Sequence, residues 1–166
     1  MAGTSQLDSL ICGMPYKLSL ATEPFVVVEL KGQMSDDELL TMTNDVTSKM
    51  REHQRDGKRV AVVIDLSAGE RIPPRQRKMM ADWRRDISDL TKQVALGMAM
   101  VAESATVRGV MTAIGWVSPE PVEVVYVRTR REAFEQALAW CDAAGVWVPD
   151  SLRQTAGSAR SASSRP

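Results

Sequence analysis

The sequence predicts an α/β fold: a mixed β-sheet of about five strands with about four helices, in the order ββαβαβαβα. Three observations carry this. RVAVVIDL and VALGMAMVA are continuous apolar runs, the pattern of strands covered on both faces. The segments between such runs place apolar residues at helical spacing. Strand-like and helix-like stretches then alternate along the chain, which argues a sheet with a parallel or mixed core and helices on at least one face.

The elements follow in order. Residues 1–15 have little to pack and read as a flexible N-terminal arm; the domain is expected over 16–149. KLSLA alternates and PFVVVELKG is a short β-branched run closed by Gly32, so the two read as a hairpin turning at Thr22-Glu23-Pro24. Ser35 followed by Glu38 is a capping box, and Asp36 and Asp37 suit the positive end of a helix dipole. Leu39, Met42, Val46 and Met50 give that first helix a buried face, and Asp56-Gly57 ends it. After RVAVVIDL, Pro73 and Pro74 sit where a helix begins, since the missing N–H costs little there. Met79, Met80, Trp83, Ile87 and Leu90 are the apolar stripe of one continuous second helix. Ser104 opens a third helix, with Val107, Val110, Met111 and Ile114 inward, and PVEVVYV is the last strand. Thr129 with Glu132 caps a fourth helix, whose inner face is Phe134, Ala137, Leu138 and Cys141, and Gly145 stops it. Residues 150–166 are small, polar and Ser/Arg-rich, and read as a disordered tail.

Composition excludes several classes. The 166 residues suit one domain, and 21 basic against 21 acidic residues leave no bulk charge for a polyanion. Any electrostatic site has to come from local segregation of charge. One histidine and two distant cysteines, Cys12 and Cys141, lack metal-ligand spacing and argue against a zinc site or a disulfide scaffold. No metal or cofactor is expected. The N-terminal residues lack the pattern of a secretory signal and no run approaches a transmembrane length, so a cytoplasmic setting is expected. His53 falls on the polar side of the first helix beside Glu52 and Arg55 and is expected in solvent. No Ser-His-Asp or Cys-His set and no glycine-rich phosphate loop is present in the sequence pattern, which argues against an enzyme.

The stretch VIDLSAGERIPPRQRK holds the most information. At about 100° per residue, Arg77, Lys78, Arg84, Arg85 and Lys92 fall opposite the apolar stripe of the second helix, and Arg71 and Arg75 add charge before it. A basic stripe of this kind fits an acidic protein surface or anionic headgroups; a solvated outer helix face is the plainer reading. No aromatics interleave with the arginines, which argues against base-specific nucleic-acid binding. Met79, Met80, Trp83, Met98, Met111 and Trp116 come from adjacent elements and offer a second reading as the lining of an apolar pocket. An ordinary core explains the same spacing.

FVVVELKGQMSDDEL, RVAVVIDLS, VRGVMTAIGWVSPEP and REAFEQALAW, in this order, resemble the STAS domain, the sulphate transporter and anti-sigma factor antagonist fold. The likeness is to its SpoIIAA-like (STAS/SEC14-type) branch and covers residues 17–145. It implies a cytoplasmic, non-enzymatic domain that binds partners, released in some members when a partner kinase phosphorylates a serine. Asp65, Leu66 and Ser67 match the strand end that precedes the switch. Where the family reads Ile-Asp-Ser-Ser, this chain has Ile72, Pro73, Pro74 and Arg75, so the switch hydroxyl is missing. Ser67 matches a different position and is expected to hydrogen-bond the turn backbone.

The expectation is a regulatory or scaffold module that holds a protein partner of acidic surface, constitutively and without serine phosphorylation. Its surface would comprise Asp65, Ser67, Arg71, Arg75, Arg77, Lys78, Arg84 and Arg85. The alternative is a small apolar-ligand or lipid-binding domain, peripheral to membranes at most. Strand edges such as KLSLA also offer a route to a homodimer.

Overall fold

The computed structural model describes residues 16–19, 23–69, 72–105 and 121–157. Along the chain these form β1 (Tyr16–Ser19), β2 (Phe25–Gly32), α1 (Asp36–Arg55), β3 (Val60–Gly69), α2 (Pro74–Asp86) and α3 (Ser88–Val94). β4 (Ala95–Val101), β5 (Val124–Val127), α4 (Arg130–Ala143) and α5 (Asp150–Gly157) complete them. One sheet has the order β1-β2-β3-β4-β5, with β1 antiparallel to β2 and every later pair parallel. The mixed α/β sheet matches the expectation. The expected N-terminal arm, most of the third helix and residues 158–166 lie outside the described residues.

Alternation along the strands sorts the core into two layers. Phe25 and Val27, Ala61 and Val63, and Ala99 and Val101 point to one face, where Ala133, Ala137, Trp140 and Cys141 of α4 cover them. Val26, Val60 and Val62 point to the other, against Met50 of α1 and Val94 of α3. Beside that second cluster, Tyr16 and Val28 meet Leu39 and Met42 of α1. Helices thus cover both faces, which is why β3 and β4 are apolar almost throughout.

The helices begin and end as their sequences dictate, with three corrections. Ser35 caps α1 in a reciprocal box with Glu38, and Gly57 at φ +64 lets the chain leave its C-terminus. The second helix is not continuous: Ile87 closes α2, and α3 starts at Ser88. The break lets Ile87 and Leu90 reach the Val60–Val94 cluster while Met79 and Met80 reach the one around Leu39. A single straight stripe does not serve both. The tail expected from residue 150 begins instead as α5, because Leu152 packs on the α4 core and Arg153 grips Asp142 (2.7 and 3.2 Å). His53, expected in solvent, is 1% exposed. It lies in the last turn of α1, where the chain folds back over it: Lys58 N–H donates to its carbonyl (2.9 Å), and Glu23 Oε1 stands 4.0 Å from Nδ1.

Candidate functional site at the carboxyl ends of the strands

β2 to β5 run parallel, so their carboxyl ends share one edge, the usual location of sites in open α/β sheets. β3 reaches this edge as Asp65-Leu66-Ser67. From Glu29 to Lys31, β2 advances two positions while β3 advances three, from Asp65 to Ala68. The surplus residue is a β-bulge, which turns a strand and re-aims its side chains. The Ser67 N–H (3.0 Å) and hydroxyl (2.5 Å) both donate to Asp65 Oδ1. Ser67 therefore bonds the Asp65 side chain and not a backbone carbonyl, and the two residues secure the bulge.

Asp65 follows Ala61 and Val63 in alternation and so faces α4. Glu29 lies opposite it in register and faces the same way. Two carboxylates side by side repel, and a cation between them relieves this. Arg130, in the first turn of α4, supplies it: Nη1 is 2.7 Å from Glu29 Oε1 and 3.9 Å from Asp65 Oδ2. The guanidinium also lies 5.6 Å above the Phe134 ring, which meets Phe25 edge-on at 5.7 Å. Beside it the α4 N-terminus is capped, with Thr129 Oγ1 accepting from Glu132 N–H (3.2 Å) and Glu132 Oε2 from Arg128 N–H (2.9 Å). Those bonds hold the Glu132 carboxyl below its usual range. The arrangement ties β2, β3 and α4 together.

Glu29 and Arg130 were not among the residues the sequence singled out. Each left a signal: Glu29 interrupts an apolar strand, and Arg130 puts a cation at the positive end of a helix dipole, where it is disfavoured unless paired.

The cations of α2 stand apart from Asp65. Met79 and Met80 turn α2 toward the Val28 face of the sheet, whereas Asp65 faces α4 on the other side. The expected single surface is therefore divided. Within α2, Arg75 Nε pairs with Asp36 Oδ2 at 3.0 Å, and Gln76, 5% exposed, donates to Met34 O (2.8 Å) and Asp36 Oδ1 (3.0 Å). These contacts latch the start of α2 to the start of α1. Lys78 and Arg85 both reach Asp82 at 2.6 Å and hold its carboxyl below the usual range. Arg77 is exposed and makes no ion pair among the described residues. Arg84, expected on the outer face, is half-buried, and burial pushes its guanidinium down while the Tyr126 phenol opposes this. It follows Trp83 directly and lies one turn beyond Met80, on the flank of the buried stripe. Arg71 lies outside the described residues.

Beside this ion-pair latch the surface is also apolar. Leu40, one turn beyond Asp36, is 53% exposed, and Ile72, three residues before Arg75, is 39% exposed.

The residues of the alternative pocket are divided between two packing groups. Met79 and Met80 pack with Tyr16, Leu39 and Met42, whereas Met98 packs with Val26 and Val62. Trp83 Nε1 donates to Thr47 Oγ1 at 2.9 Å. Met111 and Trp116 lie outside the described residues. Among the described residues no group of three or more His, Cys, Asp or Glu side chains is placed to hold a metal ion, and no helix is long and apolar enough to cross a membrane. Cys141 is a buried free thiol, pushed up to about 11 chiefly by burial.

No family model matches the chain, and no curated protein matches it. Among solved structures it is similar to an uncharacterized protein of the DUF3478 family from Shewanella loihica PV-4, which has a SpoIIAA-like fold. The TM-score is 0.55 at 11% identity, over 74% of this chain and 89% of that one. The fold of this chain is SpoIIAA-like.

Proposed function

Taking the SpoIIAA-like fold as the premise, we propose that the chain is a non-catalytic regulatory or scaffold module that docks a protein partner of acidic surface. The docking rim consists of the start of α2 and the facing first turns of α1. One observation carries the reading. Of the three large apolar side chains exposed among the described residues, Ile72 immediately precedes the helix that carries the exposed cations Arg75 and Arg77, and Leu40 lies one turn beyond Asp36, the ion-pair partner of Arg75. Apolar anchors with arginine at their margin are the composition of protein-docking surfaces. Proline at 73 and 74 stiffens the rim before binding, which lowers the ordering cost of association. With Pro74 and Arg75 in the place of the family's switch hydroxyl, docking here is constitutive.

The test is a quantitative pulldown comparing the intact chain with an Ile72→Asp/Arg77→Glu double variant whose circular dichroism is unchanged. The proteins most enriched by the intact chain should fall about tenfold with the variant. Equal recovery overturns the reading.

A further inference from the structure

The opposite edge of the sheet holds a groove of about 330 Å³ between the β1–β2 turn, the α1–β3 turn and the α4–α5 connection. Two glycine-terminated helix ends build its walls. At the end of α4, Gly145 (φ +68) donates its N–H to Asp142 O (3.2 Å), and Val146 N–H reaches Cys141 O (2.8 Å). At the end of α1, Gly57 N–H reaches Gln54 O (3.1 Å) and Lys58 N–H reaches His53 O (2.9 Å). Both pairs of bonds satisfy orphan helix carbonyls and leave the departing chain in one defined course.

That course explains an unusual side chain. Val146 and Val148 both pack into the α4 core, which turns the residue between them outward. This residue is Trp147, and it is 78% exposed. Arg153 fastens the segment through Val148 O (3.3 Å) and both carboxylate oxygens of Asp142. The indole is therefore held out by a secured segment beside the apolar groove walls Pro24 and Val60.

The charges on the same groove are unequal in their pairing. Lys58 Nζ is held by Glu23 Oε2 at 3.3 Å and by Asp56 Oδ2 at 3.8 Å. Arg59 donates from Nη2 to Ala95 O at 3.3 Å and makes no ion pair among the described residues. The lining thus carries Lys58 and Arg59 against Glu23, and the surplus cation is a guanidinium. A guanidinium binds carboxylate and phosphate through paired hydrogen bonds, and an indole face takes a flat apolar body. The volume falls at the lower end of small-ligand sites, roughly 300–1,000 Å³.

We propose that this groove binds a small planar anion, an aromatic ring bearing one carboxylate or phosphate, with Trp147 stacking on the ring and Arg59 pairing with the anionic group. The site is distinct from the docking rim and does not depend on it.

The test follows the Trp147 indole N–H resonance of the full chain, assigned by its loss in Trp147→Leu. 2-Naphthoate and phenyl phosphate are the probes; 2-naphthol and acetate are the controls. At least one probe should give a saturable shift with a Kd on the order of 1 mM, and neither control should saturate. Saturation by naphthoate alone assigns the carboxylate class, and tighter binding of phenyl phosphate assigns the phosphate class. Arg59→Gln should weaken binding about tenfold and Arg59→Lys by less, since the ammonium keeps the charge but loses the paired hydrogen bonds; unchanged circular dichroism in both guards against a folding defect. Lys58→Gln should cost less than about threefold, because Glu23 already engages that ammonium. Absence of saturation by both probes at about 10 mM overturns the proposal, as does equal binding of 2-naphthol. A shift with protein concentration alone, accompanied by dimers in sedimentation, also overturns it and makes Trp147 a contact between copies.

Discussion

His53 combines a buried imidazole with incomplete hydrogen bonding: Nε2 has no partner among the described residues, and Glu23 is 4.0 Å from Nδ1. Burial lowers its pKa below 6.5; Glu23 and Glu52 oppose the shift, and Lys49 and Lys58 add to it. The sign of the stability effect follows directly. Below pH 6.5 the unfolded chain takes up a proton that the folded chain resists, so stability is full above that value and falls as the pH drops below it. The carboxylates of Glu38, Glu52 and Glu132 act later, since their folded values lie under 4.5 and their contribution is lost only below it. Urea midpoints between about pH 6.5 and 5 should therefore fall for the intact chain and stay nearly flat for His53→Leu. A matching slope in the variant would assign the acid sensitivity elsewhere. The helical spacing carries this signal, since at about 100° per residue His53 falls between Met42 and Val46 on the buried stripe; its polar character and its neighbours Glu52 and Arg55 masked it. It is the return of the chain through Gly57, Lys58 and Glu23 that covers it.

The contact of α4 with β4 shows how closely one helix lies on the sheet. A Cβ built on Gly97 would stand 2.5 Å from Trp140 Cε2 and 2.6 Å from Cδ2, so the indole occupies the space that a side chain would take. Trp140 is held there by its Nε1–H bond to Glu123 Oε2 at 2.9 Å. Gly97→Ala should destabilise the fold by about 1–3 kcal/mol in urea unfolding, with Trp140→Leu in the same chain recovering part of the loss. A neutral Gly97→Ala would mean that α4 shifts freely on the sheet. The strand VALGMAMVA and the helix REAFEQALAW were both legible from their periodicities, as were the caps Ser35 and Thr129. Their contact was not, because Gly97 within a strand marks a close approach without saying what approaches. The break at Ile87 was hidden for a related reason: the apolar stripe of Met79 to Leu90 reads the same whether it packs on one cluster or two.

Two cores, one on each face of a single sheet, hold the molecule together, and α5 adds to only one of them through Leu152. Its ion pair with Asp142 is half-exposed and contributes little by itself. A chain ending at Pro149 should therefore unfold in one cooperative transition at a lower temperature, having lost about 1–2 kcal/mol of apolar burial. Loss of a cooperative transition would show that α5 is integral to the core. The same division by the sheet separates the candidate residues. The Glu29–Arg130–Asp65 group faces α4, the α2 cations lie across the sheet from it, and the Trp147 groove occupies the other end of the strands.

The sequence by itself determined the α/β class, the five strands in their order and the helices capped by Ser35 and Thr129, because hydrophobic period, capping residues and helix-ending glycines act over a few neighbouring positions. It also shows that Ile72, Pro73, Pro74 and Arg75 carry no side-chain hydroxyl. Only the tertiary structure decided which charges are partners. Strand parity puts Asp65 on one face, but not until α4 is laid against that face does Arg130 become its neighbour. Arg84 is drawn inward and Trp147 is left outside for the same physical reason. The side of a helix or turn that meets solvent is set by what packs on it, and those residues lie far away along the chain.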